Sequence, residues 1–153
     1  MKYTDVAVTF AEFPNEVSLC INISGCKFHC KGCHSPELWE DVGYELTPDI
    51  LLELIDSNDG ITCIGFMGGT FEDVKDMAKW CKAAFPELKI GWYFGGFISL
   101  DEDVSVFDYI KEGPYIEERG PLNNPNTNQK MYKIEDNKWI DITSKFWNDI
   151  NRK

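Results

Sequence analysis

Three of the six cysteines stand together in Cys26-Lys27-Phe28-His29-Cys30-Lys31-Gly32-Cys33-His34, at the spacing C-x3-C-x2-C. Thiolates in such a cluster bind soft metals: zinc, copper(I) or an iron–sulfur cluster. Neither a strand nor a regular helix can bring three sulfurs so closely spaced onto one centre. The stretch must therefore be a loop, and Gly25 and Gly32 give its backbone the freedom to wrap. A structural zinc normally takes a fourth ligand, often from a second C-x2-C or H-x3-H pair. His29 and His34 are available for that role, but no second pair follows. A cubane 4Fe-4S cluster usually takes four cysteines, so with three of them one iron stays open to an exogenous ligand. Cys20, Cys63 and Cys81 lie in apolar stretches and read as small buried hydrophobes.

Around that loop, the chain alternates apolar runs with glycine turns. Val6–Phe10 alternates weakly as a first strand, and Phe13-Pro14-Asn15-Glu16 reads as a turn with Pro at its second position. Val17–Ile23 is a short apolar run that delivers the cysteine loop from its C-terminal end, where α/β sheets place their ligands. Thr47-Pro48-Asp49 opens a helix with Thr as N-cap and Pro at the first position, and Asn58-Asp59-Gly60 ends it. Ile61–Met67 reads as a strand running into Gly68-Gly69, Phe71–Phe85 as an amphipathic helix stopped by Pro86, and Lys89–Phe94 as a strand running into Gly95-Gly96. Strand, glycine loop and helix recur, so a parallel sheet with right-handed crossovers is the economical arrangement. Val106–Lys111 adds a short strand, and Gly113–Asn128 an irregular surface segment rich in Pro, Gly and Asn. Met131–Glu135 and Lys138–Thr143 flank a hairpin turn at Asp136-Asn137, and the tail around Phe146 and Trp147 has room for one helical turn.

Composition removes several functions. A single domain over residues 1–153 is long enough for a real core, and 43% hydrophobic content fits a globular chain. A net charge of −11 argues against a nucleic-acid binder, which needs clustered Lys and Arg. It favours solubility, or a surface that meets a basic patch on a partner protein. No apolar run approaches the ~18 residues of a membrane span. No export signal core follows Met1-Lys2-Tyr3-Thr4-Asp5, and packed cysteines favour metal in a reducing compartment, so a cytoplasmic location is expected.

With these residues in view, the chain resembles the radical S-adenosylmethionine (radical SAM) enzymes, whose signature is C-x3-C-x2-C after an apolar strand. Ile23-Ser24-Gly25-Cys26, Cys30-Lys31-Gly32-Cys33 and Ser35-Pro36-Glu37-Leu38-Trp39 are similar to segments of the activating enzyme of the anaerobic, class III ribonucleoside-triphosphate reductase. So are two later segments, Gly113-Pro114-Tyr115-Ile116-Glu117-Glu118 and Asn126-Thr127-Asn128-Gln129-Lys130. The resemblance implies that Cys26, Cys30 and Cys33 ligate a 4Fe-4S cluster whose open iron is chelated by S-adenosylmethionine. Reductive cleavage then gives methionine and a 5′-deoxyadenosyl radical, which takes a hydrogen atom from the substrate. Catalytic groups beyond the cluster and cofactor are not implied. Gly32, Cys33 and His34 match positions that line the cofactor pocket in related enzymes. Gly68-Gly69-Thr70 stands where the family has Gly-Gly-Glu or Gly-Gly-Asp, which contacts the methionine amino group. Thr70 lacks the carboxylate, and Phe71 replaces the usual Pro, leaving carbonyls, the Thr70 hydroxyl or Glu72 for the ammonium. Trp92-Tyr93-Phe94-Gly95-Gly96 reads either as a pocket wall or as core packing plus a turn.

The resulting expectation is a small α/β fold of radical SAM type, an open partial (βα) barrel of mainly parallel strands with a C-terminal hairpin. The implied activity is formation of a glycyl radical on the reductase, a protein substrate, with a flavodoxin-like or other low-potential electron donor. A radical SAM activase or modifier of another glycyl radical enzyme or peptide is the alternative enzyme. A non-catalytic iron–sulfur or zinc protein is the alternative of a different class.

Overall fold

The computed structural model describes residues 1–25, 40 and 42–147. In chain order the elements are β1 (Lys2–Thr9), β2 (Ser18–Ile23), β3 (Tyr44–Glu45), α1 (Pro48–Asp56), β4 (Cys63–Met67), α2 (Phe71–Ala84), β5 (Lys89–Tyr93), β6 (Tyr109–Glu112), β7 (Lys130–Glu135) and β8 (Lys138–Asp141), followed by a 3-10 turn at Thr143–Phe146. Among the described residues the strands form one sheet in the order β3-β1-β2-β4-β5-β6-β7-β8.

Parallel pairing is confined to the four central strands, β2-β4-β5-β6, and both flanks are antiparallel. The expectation of mainly parallel strands therefore describes the centre only. The flanks differ because tight turns can join antiparallel neighbours alone. One is Phe13–Glu16, where the Glu16 amide donates to the Phe13 carbonyl at 3.2 Å and Asn15 has φ +65°. The other is Asp136-Asn137, with φ +52° and +59°, the two-residue turn that matches strand twist. β6 starts at Tyr109 rather than Val106, because Val104 and Phe107 are spent on core packing in the preceding loop. β1 extends back to Lys2, and its weak alternation reflects a register shift between Tyr3 and Val6.

Strand alternation divides the interior into two faces. One carries Leu19, Ile21 and Ile23 of β2, Ile64 and Phe66 of β4, Ile90 and Trp92 of β5, and Ile110 of β6. Against it pack Leu51 and Ile55 of α1 and Val74, Ala78 and Cys81 of α2. Each large side chain buried there contributes roughly 1.5–3 kcal/mol. Both helices start as the sequence predicts: the Thr47 hydroxyl accepts from the Ile50 amide at 3.2 Å, with Pro48 next to it. Among the described residues no helix covers the other face. Gly65 and Gly91 leave a trough across β4 and β5, and Phe13 fills it; a Cβ at Gly65 would come within 2.7 Å of the Phe13 ring. Tyr93 packs edge-on to Phe13 with ring centroids 5.2 Å apart, and Cys20, Cys63, Tyr109, Leu122 and Met131 complete this second cluster.

Candidate metal and cofactor site

Cys26, Cys30, Cys33, Gly32 and His34 lie outside the described residues, but their two flanks are well placed. β2 ends at Ile23; the Ser24 amide donates to the Lys2 carbonyl at 3.0 Å, and the Gly25 amide donates to the Glu40 carbonyl at 3.0 Å. The chain thus leaves the sheet at Gly25 and is back beside it at Glu40. This point is the C-terminal end of the parallel strands, the end where α/β sheets hold ligands.

The turn at the end of the neighbouring strand β4 touches the same point. Gly68 and Gly69 have φ +115° and +88°, which L side chains rarely adopt. A Cβ at Gly68 would meet the Ile23 carbonyl oxygen at 3.1 Å, and one at Gly69 would meet Val74 Cγ2 at 2.8 Å. These glycines let the turn close onto the end of β2. Thr70 is the N-cap of α2, its hydroxyl accepting from the Asp73 amide at 3.3 Å. The missing carboxylate at this position therefore has a local structural counterpart, and the nearest acids in the chain are Glu72 and Asp73 in the first turn of the helix. The Gly68 carbonyl accepts from Trp92 Nε1 at 2.7 Å. Trp92 is buried on the helix face and stacks on Phe94 at 4.5 Å and Phe107 at 5.6 Å, so it is core. Tyr93 points the other way and donates its hydroxyl to the Glu12 carbonyl at 2.7 Å; burial holds its pKa well above the ordinary value.

Strand register brings together a row that the sequence does not advertise. Asn22, Met67, Tyr93, Lys111 and Met131 are paired across β2, β4, β5, β6 and β7. Among the described residues they form the last layer of the face without helices, at the end of the sheet where β2 runs out to Gly25. The Lys111 ammonium lies 5.2 Å from the centre of the Tyr93 ring, and Asn22 donates to the Asp5 carboxylate. Parity could have placed four of them on this face, though not aligned them: Asn22, Met67, Tyr93 and Lys111 each follow a core residue, Ile21, Phe66, Trp92 and Ile110, along β2, β4, β5 and β6.

The late identifying segments are built into the same edge. Gly113 follows β6, and its amide donates to the Gly96 carbonyl at 2.8 Å. Asn128 Nδ2 donates to the Pro114 carbonyl at 3.1 Å, Arg119 Nε to the Asn126 carbonyl at 2.9 Å, and the Thr127 hydroxyl to the Gly120 carbonyl at 3.2 Å. The asparagines therefore brace the loop.

The donor set can be tested against a four-cysteine cluster. Cys20, Cys63 and Cys81 are buried, unbridged thiols, and burial pushes them up to about 11, 12 and 11. Cys20 lies three residues, roughly 10 Å, below the end of β2. Cys63 starts β4 at the opposite edge, and Cys81 lies on the buried face of α2. Each of the three is held in the core. No set of three or more His, Cys, Asp or Glu among the described residues could hold a metal ion, and no helix among them is long and apolar enough to cross a membrane.

Neither curated proteins nor solved structures give a match to this chain. Residues 16–131 match the family described as the 4Fe-4S single cluster domain. The match runs from the turn before β2 into β7, most of the chain and all of the parallel sheet, and a family of one-cluster proteins is what one compact set of cysteines requires: the chain belongs to the 4Fe-4S single cluster domain family.

Proposed function

We propose that this protein is a radical SAM activase that forms a glycyl radical on the anaerobic ribonucleoside-triphosphate reductase. The observation that carries the reading is the cysteine inventory. A one-cluster protein has three cysteines in its loop, Cys26, Cys30 and Cys33, and its other three are locked in the core as protonated thiols. No cysteine remains for the fourth iron, which is the arrangement that leaves an iron for an outside ligand. Bound there, the cluster and S-adenosylmethionine supply a hydrogen-atom abstraction; the chain supplies placement.

The Gly25–Glu40 contact sets the loop at the strand ends. In this reading Gly32, Cys33 and His34, the Gly68-Gly69-Thr70 turn and the row from Asn22 to Met131 enclose the cofactor. Lys111 is the cationic side chain of that row and suits a carboxylate. Phe13 and Tyr93 close the face beneath it against water. The open partial barrel, the cytoplasmic location and the low-potential electron donor belong to the same proposal.

The test is anaerobic mixing of the reconstituted protein with the reductase, S-adenosylmethionine and reductant, read by electron paramagnetic resonance. The expected outcome is a glycyl radical that requires all components, with ~4 Fe per chain. Cys26→Ala, Cys30→Ala and Cys33→Ala each lose most of the iron and the radical, whereas Cys20→Ala and Cys81→Ala keep the iron. A full cluster that cleaves S-adenosylmethionine yet gives no radical on the reductase sinks this reading in favour of a peptide modifier.

A further inference from the structure

Residues 94–108 connect β5 to parallel β6 without a helix, and the connection has two unlike sides. Its underside is anchored: Val104 and Phe107 are buried, and Ile98 packs on the same core. Its turn is fixed by the Glu102 amide donating to the Ser99 carbonyl at 3.1 Å and the Asp101 amide donating to Ser99 Oγ at 3.3 Å. Two more bonds tie it to the end of β6 and the residue after it. The Ile98 amide donates to Glu112 Oε2 at 3.1 Å, and the Gly113 amide to the Gly96 carbonyl at 2.8 Å. Yet Phe97 is 66% exposed, Leu100 81% and Ile116 37%. A loop that buries Val104 and Phe107 and half-buries Ile98 while holding two apolar groups of similar size in water gains nothing for its own folding from those two. Next to them in the chain, Asp101, Glu102 and Glu118 are also exposed.

Phe97 and Ile116 follow β5 and β6, so they stand at the strand ends where β2 delivers the cysteine loop. We propose that the Phe97–Glu102 turn, with Ile116 and Glu118, is the docking surface for the protein substrate, and that the substrate presents an apolar socket rimmed by Lys or Arg. The inference rests on the activase reading. The charge selects this occupant: an anionic membrane or a nucleic acid is repelled by these carboxylates, and a second copy of a chain of net charge −11 is a poor match.

The experiment measures glycyl radical formation against reductase concentration. Phe97→Ser combined with Leu100→Ser should leave iron content and partner-free S-adenosylmethionine cleavage unchanged and raise the KM for the reductase at least tenfold. Asp101→Lys combined with Glu102→Lys should raise KM several-fold at low salt, with the difference fading toward 1 M salt, where the Debye length is ~3 Å. Should the serine pair lose iron, the charge pair, which touches no apolar contact, decides alone. A wild-type KM in the variants that keep their iron overturns the docking surface and leaves the activase standing. No radical from the unmodified protein overturns both.

Discussion

The two faces of the sheet are made from the same strands and differ in almost every physical respect. The helix face is continuous and aliphatic, with Ile21, Ile64, Phe66, Ile90 and Trp92 buried under α1 and α2. The open face has glycine at the centre of β4 and β5, one aromatic ring dropped in from a turn, and above it a row containing Asn22, Tyr93 and Lys111. A face packed by many interchangeable aliphatics tolerates variation, because volume can be redistributed. A face closed by a single plug does not. The difference teaches that the helix face spreads its packing over many side chains, whereas the open face depends on a few contacts around Phe13 and ends in a more polar last layer.

The largest expected effect comes from removing the plug. Phe13→Ala empties the trough over Gly65 and Gly91 and should cost about 3–5 kcal/mol, read from denaturant unfolding. Gly91→Ala alone should also destabilise, because its Cβ overlaps the Phe13 ring. In the Phe13→Ala background the same change should be nearly neutral, since the clash is gone. Additive losses in that double-mutant cycle would show that Phe13 and Gly91 are not coupled and that the open face is packed like the other.

Next in size is a loss of stability at alkaline pH. Burial raises Cys20, Cys63 and Cys81 from an ordinary 9.0 to about 11, 12 and 11. Folding therefore retains protons that the unfolded chain releases near 9.0. This contribution is fully present below that pH and is lost as pH rises toward 11–12. Tyr93 and Tyr109, also raised by burial on the open face, act in the same direction. Urea midpoints should be flat below about pH 8.5 and fall steadily above pH 9. Cys63→Ala should flatten the fall. A flat profile to pH 11 would mean that these thiols are not held in a dry interior.

The smallest effect sharpens the boundary between fold and site. Thr70→Ala removes the α2 cap and should cost about 1 kcal/mol. Thr70→Asp keeps an N-cap acceptor and adds a carboxylate, so its stability should stay within a few tenths of a kcal/mol of the parent. Under the activase reading it should bind S-adenosylmethionine more tightly, by the roughly 1.5–3 kcal/mol of a charged hydrogen bond. Calorimetry on the anaerobic protein measures the affinity, and weaker binding in Thr70→Asp would place the ammonium elsewhere, with Glu72 the first alternative.

The sequence by itself determined whatever depends on neighbours in the chain. Thr47-Pro48 starts α1 because a hydroxyl reaches an amide three residues on, and Pro86 stops α2 because proline cannot continue a helix. The C-x3-C-x2-C spacing is legible for the same reason: Cys26, Cys30 and Cys33 are close neighbours in the chain. Tertiary structure decided what depends on register between distant strands. Nothing local in Asn22, Met67, Lys111 or Met131 marks them as a row, because they meet only when β2, β4, β6 and β7 align across the sheet. The β3-β1 and β6-β7 pairings and the plug of Phe13 over Gly91 have the same origin. Each is a contact whose energy exists only after long-range pairing has closed the loop between its partners, and no period or spacing in the chain encodes that closure.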